Sequence, residues 1–120
     1  AGIRAGRPPA PALPAHAYVA IGLRPESLRA LTRALAQRIV VNADHVPVVV
    51  TDCPSFRFAR VPGVVLEYVP DAGTWQRHRP DVRWDDLLTD RLARLFRDHG
   101  CVRTAVVDPD HPPTLANLLD

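Results

Sequence analysis

The chain has no lysine and no methionine. Without a lysine amine it forms no Schiff base, and it lacks the phosphate-gripping lysine of a Walker loop. All fifteen basic residues are therefore arginine. Cysteine is scarce too, with Cys53 and Cys101 alone. Both are expected as reduced thiols. Cys53 follows one expected strand and Cys101 precedes another, and a parallel sheet would put them at opposite edges, beyond disulfide reach. No apolar run approaches the ~18 residues of a membrane span, and the N-terminus lacks the apolar stretch of a signal peptide. The expected setting is reducing and cytoplasmic. The missing Met at position 1 fits a processed chain or a piece of a larger protein.

Fifteen arginines against thirteen acids leave a formal charge of only +2, too small by itself to argue for nucleic acid, which is not the expected partner. The lysine-free, Ala-, Arg-, Pro- and Val-rich composition matches a high-GC genome. With 47% hydrophobic residues, the 120 residues support one domain and one modest core, not two. Residues 1–15 carry Pro8, Pro9, Pro11 and Pro14 among alanines and read as a disordered linker. Residues 16–120 read as a single α/β domain, complete or half of a larger one.

The run from His45 to Ser55 is the clearest local signal. Val46 to Thr51 is continuously apolar and β-branched, as in a strand buried on both faces, and it breaks abruptly into Asp52-Cys53-Pro54-Ser55. Three more strands are expected at Ala17–Leu23, Val64–Val69 and Val102–Val107. A helix is expected from Pro25, with Leu28, Leu31, Leu35 and Ile39 in one stripe and its end at Asn42. A second follows Asp81 as its cap, buries Leu87, Leu88, Leu92, Leu95 and Phe96, and stops at Gly100. Ser55–Arg60 allows a single helical turn, Pro70–Arg83 reads as a long polar loop, and Thr114–Leu119 closes with one more turn. The fold class is α/β: a small Rossmann-like or flavodoxin-like three-layer unit of about four mostly parallel strands with two main helices.

Parallel strands would share one C-terminal edge, where ligands bind in open α/β sheets. That edge would gather Arg24, then Asp52 and Ser55, then Arg77 from the long loop, then Asp108, Asp110 and His111. Asp108-Pro109-Asp110-His111 has carboxylates that suit a divalent cation, Mg²⁺ or Mn²⁺, and equally the residues of a turn. Asp52 has two expected roles, a cap on the turn at Ser55 and Phe56, and a ligand contact. Cys53 fails as a phosphatase nucleophile, because Arg57 and Arg60 stand at the wrong spacing behind it. Arg57, Arg60, Arg77, Arg79 and Arg83 with Trp75 and Trp84 could grip phosphates, but Asp71, Asp81, Asp85 and Asp86 lie among them and cancel the field. The five histidines show no metal spacing, and Gly22 stands alone without a dinucleotide fingerprint.

Val48-Val49-Val50-Thr51-Asp52, Phe56, the stretch Gly63 to Pro70 (Gly-Val-Val-Leu-Glu-Tyr-Val-Pro) and the tryptophan-led, arginine-rich helix Trp84 to His99 together resemble the N-terminal halves of actinobacterial glycosyltransferase-like proteins. The resemblance covers about half the chain. It implies the Rossmann-like half of a two-domain enzyme, with the nucleotide sugar held mainly by a C-terminal half, and it carries no catalytic residue over. The expected function is a ligand cleft for a nucleotide sugar or its acceptor at the C-terminal strand edge. The alternative is a non-enzymatic interaction or assembly domain. A second domain, a partner chain or another copy of the chain is the expected partner.

Overall fold

The computed structural model describes residues 13–119. Most of the expected linker lies outside those residues. Four strands form one parallel sheet: β1 (Ala15–Ala20), β2 (Val46–Thr51), β3 (Val65–Tyr68) and β4 (Cys101–Val106). Their spatial order is β3-β2-β1-β4, the order that opens a doubly wound sheet. The chain moves outward from β1 to β3, then crosses back to place β4 on the other side of β1. The gap between the loops after β1 and β4 is therefore the topological switch point.

The β1 register sets its start. Ala15 pairs with Val46 and Ala20 with Thr51, so the strand begins inside the expected linker and ends before Ile21. The apolar run Ile21–Leu23 continues past the strand into its loop. A bulge between Ala15 and His16 shifts the pairing with β4, setting His16 opposite Arg103 and Tyr18 opposite Ala105.

Helix α1 (Pro25–Val41) starts with proline in its first turn, where the missing N–H costs nothing. Its Leu28, Leu31 and Leu35 are fully buried against Val49 and Leu66, with Tyr18 packed beside them. Each such leucine contributes about 1.5–3 kcal/mol through removal from water. A 3-10 turn (Phe56–Ala59) bridges β2 and β3 on the same side, adding buried Ala59 to that core. No helix among the described residues is long and apolar enough to cross a membrane.

Two helices, not a loop and a helix, join β3 to β4. Helix α2 (Ala72–His78) starts at Asp71, whose Oδ2 accepts the Thr74 N–H at 3.3 Å. Helix α3 (Trp84–His99) starts at Arg83 without a side-chain cap, because Asp81 is bonded to Arg79 instead. Gly100 ends it at φ 65°, a left-handed stop suited to glycine. Across the sheet from α1, His99 Nε2 meets Glu67 Oε1 at 3.0 Å and ties α3 to β3. The expected burial of the α3 stripe is corrected. Leu87, Leu88, Leu92, Leu95 and Phe96 are all only half-buried, and no α3 residue is fully covered. β4 is likewise exposed along most of its length, with Val102 at 65% and Val106 at 80% exposure. Helix α4 (Leu115–Leu119) packs on α1, where Arg38 Nε donates to the Leu118 carbonyl at 3.0 Å.

Candidate functional site

The C-terminal ends of the strands meet around Gly22. This glycine adopts φ 82°, which an L side chain rarely takes, and so lets the loop after β1 turn back sharply. Its N–H donates to Asp52 Oδ1 at 2.9 Å. Asp52 therefore bonds across the strand ends and does not cap the 3-10 turn. That turn is served by backbone: Phe56 N–H reaches the Cys53 carbonyl at 3.2 Å, and Thr51 Oγ1 accepts the Cys53 N–H at 3.1 Å.

Two clefts open on either side of Gly22. The larger, about 470 Å³, is lined by Gly22, Leu23, Pro25, Asp52, Cys53, Pro54, Ser55, Asp71 and Thr74. The smaller, about 300 Å³, is lined by Gly22, Arg24, Glu26, Ser27, Pro109, Asp110 and Pro112, and it occupies the switch point. The structure thus brings Asp52 and Ser55 to one cleft and Arg24 and Asp110 to its neighbour. The first N–H groups of α1 stand at their junction without intrahelical partners, since the ladder begins with Leu28 N–H on the Arg24 carbonyl.

The larger cleft carries two carboxylates. Hydrogen bonds from Thr74 hold the Asp71 carboxyl below its usual range, so it is charged at neutral pH. Tyr68 stands nearby at the end of β3, stacked on Phe56 with centroids 5.1 Å apart. Burial, with Asp71 and Asp52 adding repulsion, pushes its phenol upward and keeps it protonated. Carboxylates, a serine hydroxyl and a phenol are partners for hydroxyl groups of a ligand. The smaller cleft is lined by one cation, Arg24, and two carboxylates, Glu26 and Asp110, with Ser27 from the first turn of α1.

Asp108, His111 and Arg77 fall outside the lining of both clefts. Asp108 Oδ1 accepts the Asp110 N–H at 2.9 Å, and Oδ2 lies 3.3 Å from His111 Nδ1. Those two contacts hold its carboxyl below the usual range. The segment is thus a carboxylate-closed turn. Among the described residues no three His, Cys, Asp or Glu side chains gather as metal ligands would, those around Asp108 and Asp110 included. Arg77 lies on exposed α2, with Nη2 3.4 Å from Thr74 Oγ1. The two tryptophans serve the fold: Trp84 Nε1 donates to the Pro70 carbonyl at 2.8 Å and Trp75 Nε1 to the Val82 carbonyl at 3.1 Å. Arg79 lies over the Trp75 ring, and Arg60 over Phe56. Cys53 and Cys101 are free thiols at opposite edges of the sheet.

Sequence reasoning missed Asp71 and Thr74. Their signal was an aspartate three residues before a hydroxyl residue, the pattern of a helix start. It also missed a buried polar chain at the other end of the sheet. His45 is only 3% exposed, with Nδ1 2.7 Å from Asp44 Oδ1 and Nε2 2.9 Å from the Tyr18 hydroxyl. The Arg38 guanidinium and the His45 ring together bring the Asp44 carboxyl down to about 2.

No family model, no curated protein and no solved structure matches the chain. What stands is a class: a parallel α/β unit wound to both sides of β1, with two adjoining clefts beyond its strand ends, the smaller of them at the switch point.

Proposed function

We propose that the chain is a ligand-binding Rossmann-like unit of glycosyltransferase type, whose C-terminal sheet edge receives a nucleotide sugar or its acceptor. The Gly22–Asp52 hydrogen bond is the observation that carries this reading, because it fixes the wall between two adjoining clefts at the place where doubly wound sheets bind ligands. Asp52, Asp71 and Ser55 suit the hydroxyls of a sugar or ribose. The start of α1, with Ser27 and Arg24, suits a phosphate group. The resemblance of residues 48–52, 63–70 and 84–99 supplies the glycosyltransferase element of the reading.

Uridine diphosphate glucose is a fitting probe. It should raise the midpoint of thermal unfolding, since a ligand that binds only the native state stabilises it. Asp52→Asn keeps an oxygen for the Gly22 N–H and removes the charge, so it should weaken the shift without unfolding the protein. An unchanged midpoint of the wild type in uridine diphosphate glucose sinks the reading.

One observation favours a second reading, an interaction or assembly domain. Val102 and Val106 are exposed on the edge strand β4, beside a half-covered α3. An unpaired edge with apolar side chains is a template for another chain. Size-exclusion chromatography with light scattering separates the two. A stable oligomer that ignores the nucleotide sugar supports assembly, and a monomer stabilised by it supports the cleft.

A further inference from the structure

The face of the sheet that α1 covers is left open over β4. The β1–β4 register puts His16 directly opposite Arg103, so both side chains stand on that face, one strand spacing apart. A groove of about 220 Å³ runs between them, lined by His16, Tyr18, Arg103 and Ala105 with Ala17 and Thr104. Among the described residues neither the His16 ring nitrogens nor the Arg103 guanidinium has a hydrogen-bond or ion-pair partner. The His16 ring is occupied only by stacking on His45, with centroids 4.0 Å apart and planes 14° from parallel.

His45 is fully used behind that stack. Asp44 accepts from its Nδ1, which leaves Nε2 to accept the Tyr18 O–H. This tautomer is the one that satisfies both neighbours. Asp44 is itself held by Arg38 at 3.0 Å. The chain Arg38–Asp44–His45–Tyr18 is thus closed, and its carboxylate is not available to His16 or Arg103. Two donor groups of like potential charge are left facing a groove with no carboxylate in its lining.

We propose that His16 and Arg103 bind a phosphate group between them, free or carried by a small metabolite, in the groove over β1 and β4. The guanidinium offers paired N–H groups to two phosphate oxygens, and the protonated imidazole offers a third donor from the neighbouring strand. The site sits near the start of β1 and the middle of β4, away from the clefts beyond the strand ends, and it stands independently of their ligand. Binding is linked to protons. Burial, then the His45 ring and the Arg103 charge, hold the His16 ring below its usual value, with Asp44 opposing and Arg38 adding to them. Tyr18 remains protonated beside it, its own titration pushed up by burial. A bound phosphate offsets the Arg103 charge and favours protonated His16, so affinity rises as pH falls through the His16 range.

The test is an NMR titration of the His16 ring protons, assigned through the backbone of isotope-labelled protein, in inorganic phosphate and in chloride at matched ionic strength. The midpoint should move upward in phosphate by about half a unit or more. In Arg103→Gln the chloride midpoint should rise, because a neighbouring cation is gone, and the phosphate response should vanish. Glycerol phosphate should reproduce the response if the phosphate group is what is recognised. Identical midpoints in phosphate and chloride overturn the proposal. So does a phosphate response that survives Arg103→Gln. Arg103 is exposed on an edge strand, so its replacement leaves the core intact.

Discussion

The Gly22 N–H donates to Asp52 Oδ1 across 2.9 Å and thirty residues of sequence, joining the loops that follow the two central strands. Asp52→Ala removes the acceptor and should cost about 0.5–1.5 kcal/mol, the net worth of such a bond. For a domain of this size that lowers the unfolding midpoint by about 2–9 °C. Asp52→Asn should avoid most of that loss, since its amide oxygen can accept the same N–H. Thermal unfolding followed by circular dichroism measures both, and equal midpoints for Asp52→Ala and the wild type would remove the strut from the account.

Gly22→Ala addresses the other partner. An added Cβ would meet Pro109 Cβ no closer than 3.9 Å, an ordinary contact, so space is not the constraint. The cost is the left-handed backbone at φ 82°, about 1–2 kcal/mol for an alanine. Gly100→Ala, at φ 65° with open space around it, should cost a similar amount. Denaturant midpoints compare the two. A much larger loss at Gly22 than at Gly100 would show that crowding, not conformation, holds the position.

The uneven burial of the helices gives a third expectation. Leu31 of α1 is fully buried, and Leu31→Ala should cost about 2–5 kcal/mol through lost transfer energy and a cavity. Leu92 of α3 is half-buried, and Leu92→Ala should cost clearly less, about 1 kcal/mol. Comparable losses at both sites in urea unfolding would mean that α3 is covered in solution.

Stability should depend on acid in a defined window. The folded Asp44 carboxyl titrates at about 2 against a reference of 3.8. A carboxylate depressed on folding contributes stability above its unfolded value and loses it as pH falls through the folded one. The Asp71, Asp81 and Asp108 carboxyls are shifted the same way, the first by Thr74, the second by Arg79 and the third by Asp110 N–H. His16, also depressed, favours the folded state when neutral, so its contribution fades as pH drops below about 6.5. Urea midpoints should therefore fall modestly below pH ~6.5 and steeply between about pH 4 and pH 2. Asp44→Asn should flatten the steep part.

Some of this was legible in the sequence and some was not, for physical reasons. β2 appears at its expected bounds because a β-branched run has no alternative to a buried strand. The end of α3 was plain in Gly100. β1 slid toward the N-terminus because its limits come from pairing with Val46 and Thr51, which no local pattern encodes. Helix α2 was hidden by its seven residues and by Gly73 and Thr74 near its start, where intrinsic helix preference is weak. Periodicity showed which side of α3 is apolar. It could not show how much sheet lies beneath, and the outer strand β4 leaves that side half open. The site divided in the same way. Strand ends placed Asp52, Ser55, Arg24 and Asp110 at the edge, whereas the turn that absorbs Asp108 and the His16–Arg103 pairing follow from bonds and register.

Titration of the wild-type protein and Asp52→Asn with uridine diphosphate glucose by isothermal calorimetry tests the central claim most directly. Saturable binding at one site is expected in the wild type, weakened at least about tenfold, or about 1.4 kcal/mol, by the loss of the Asp52 charge. Absence of heat in the wild type, or equal affinity in the two proteins, would contradict it.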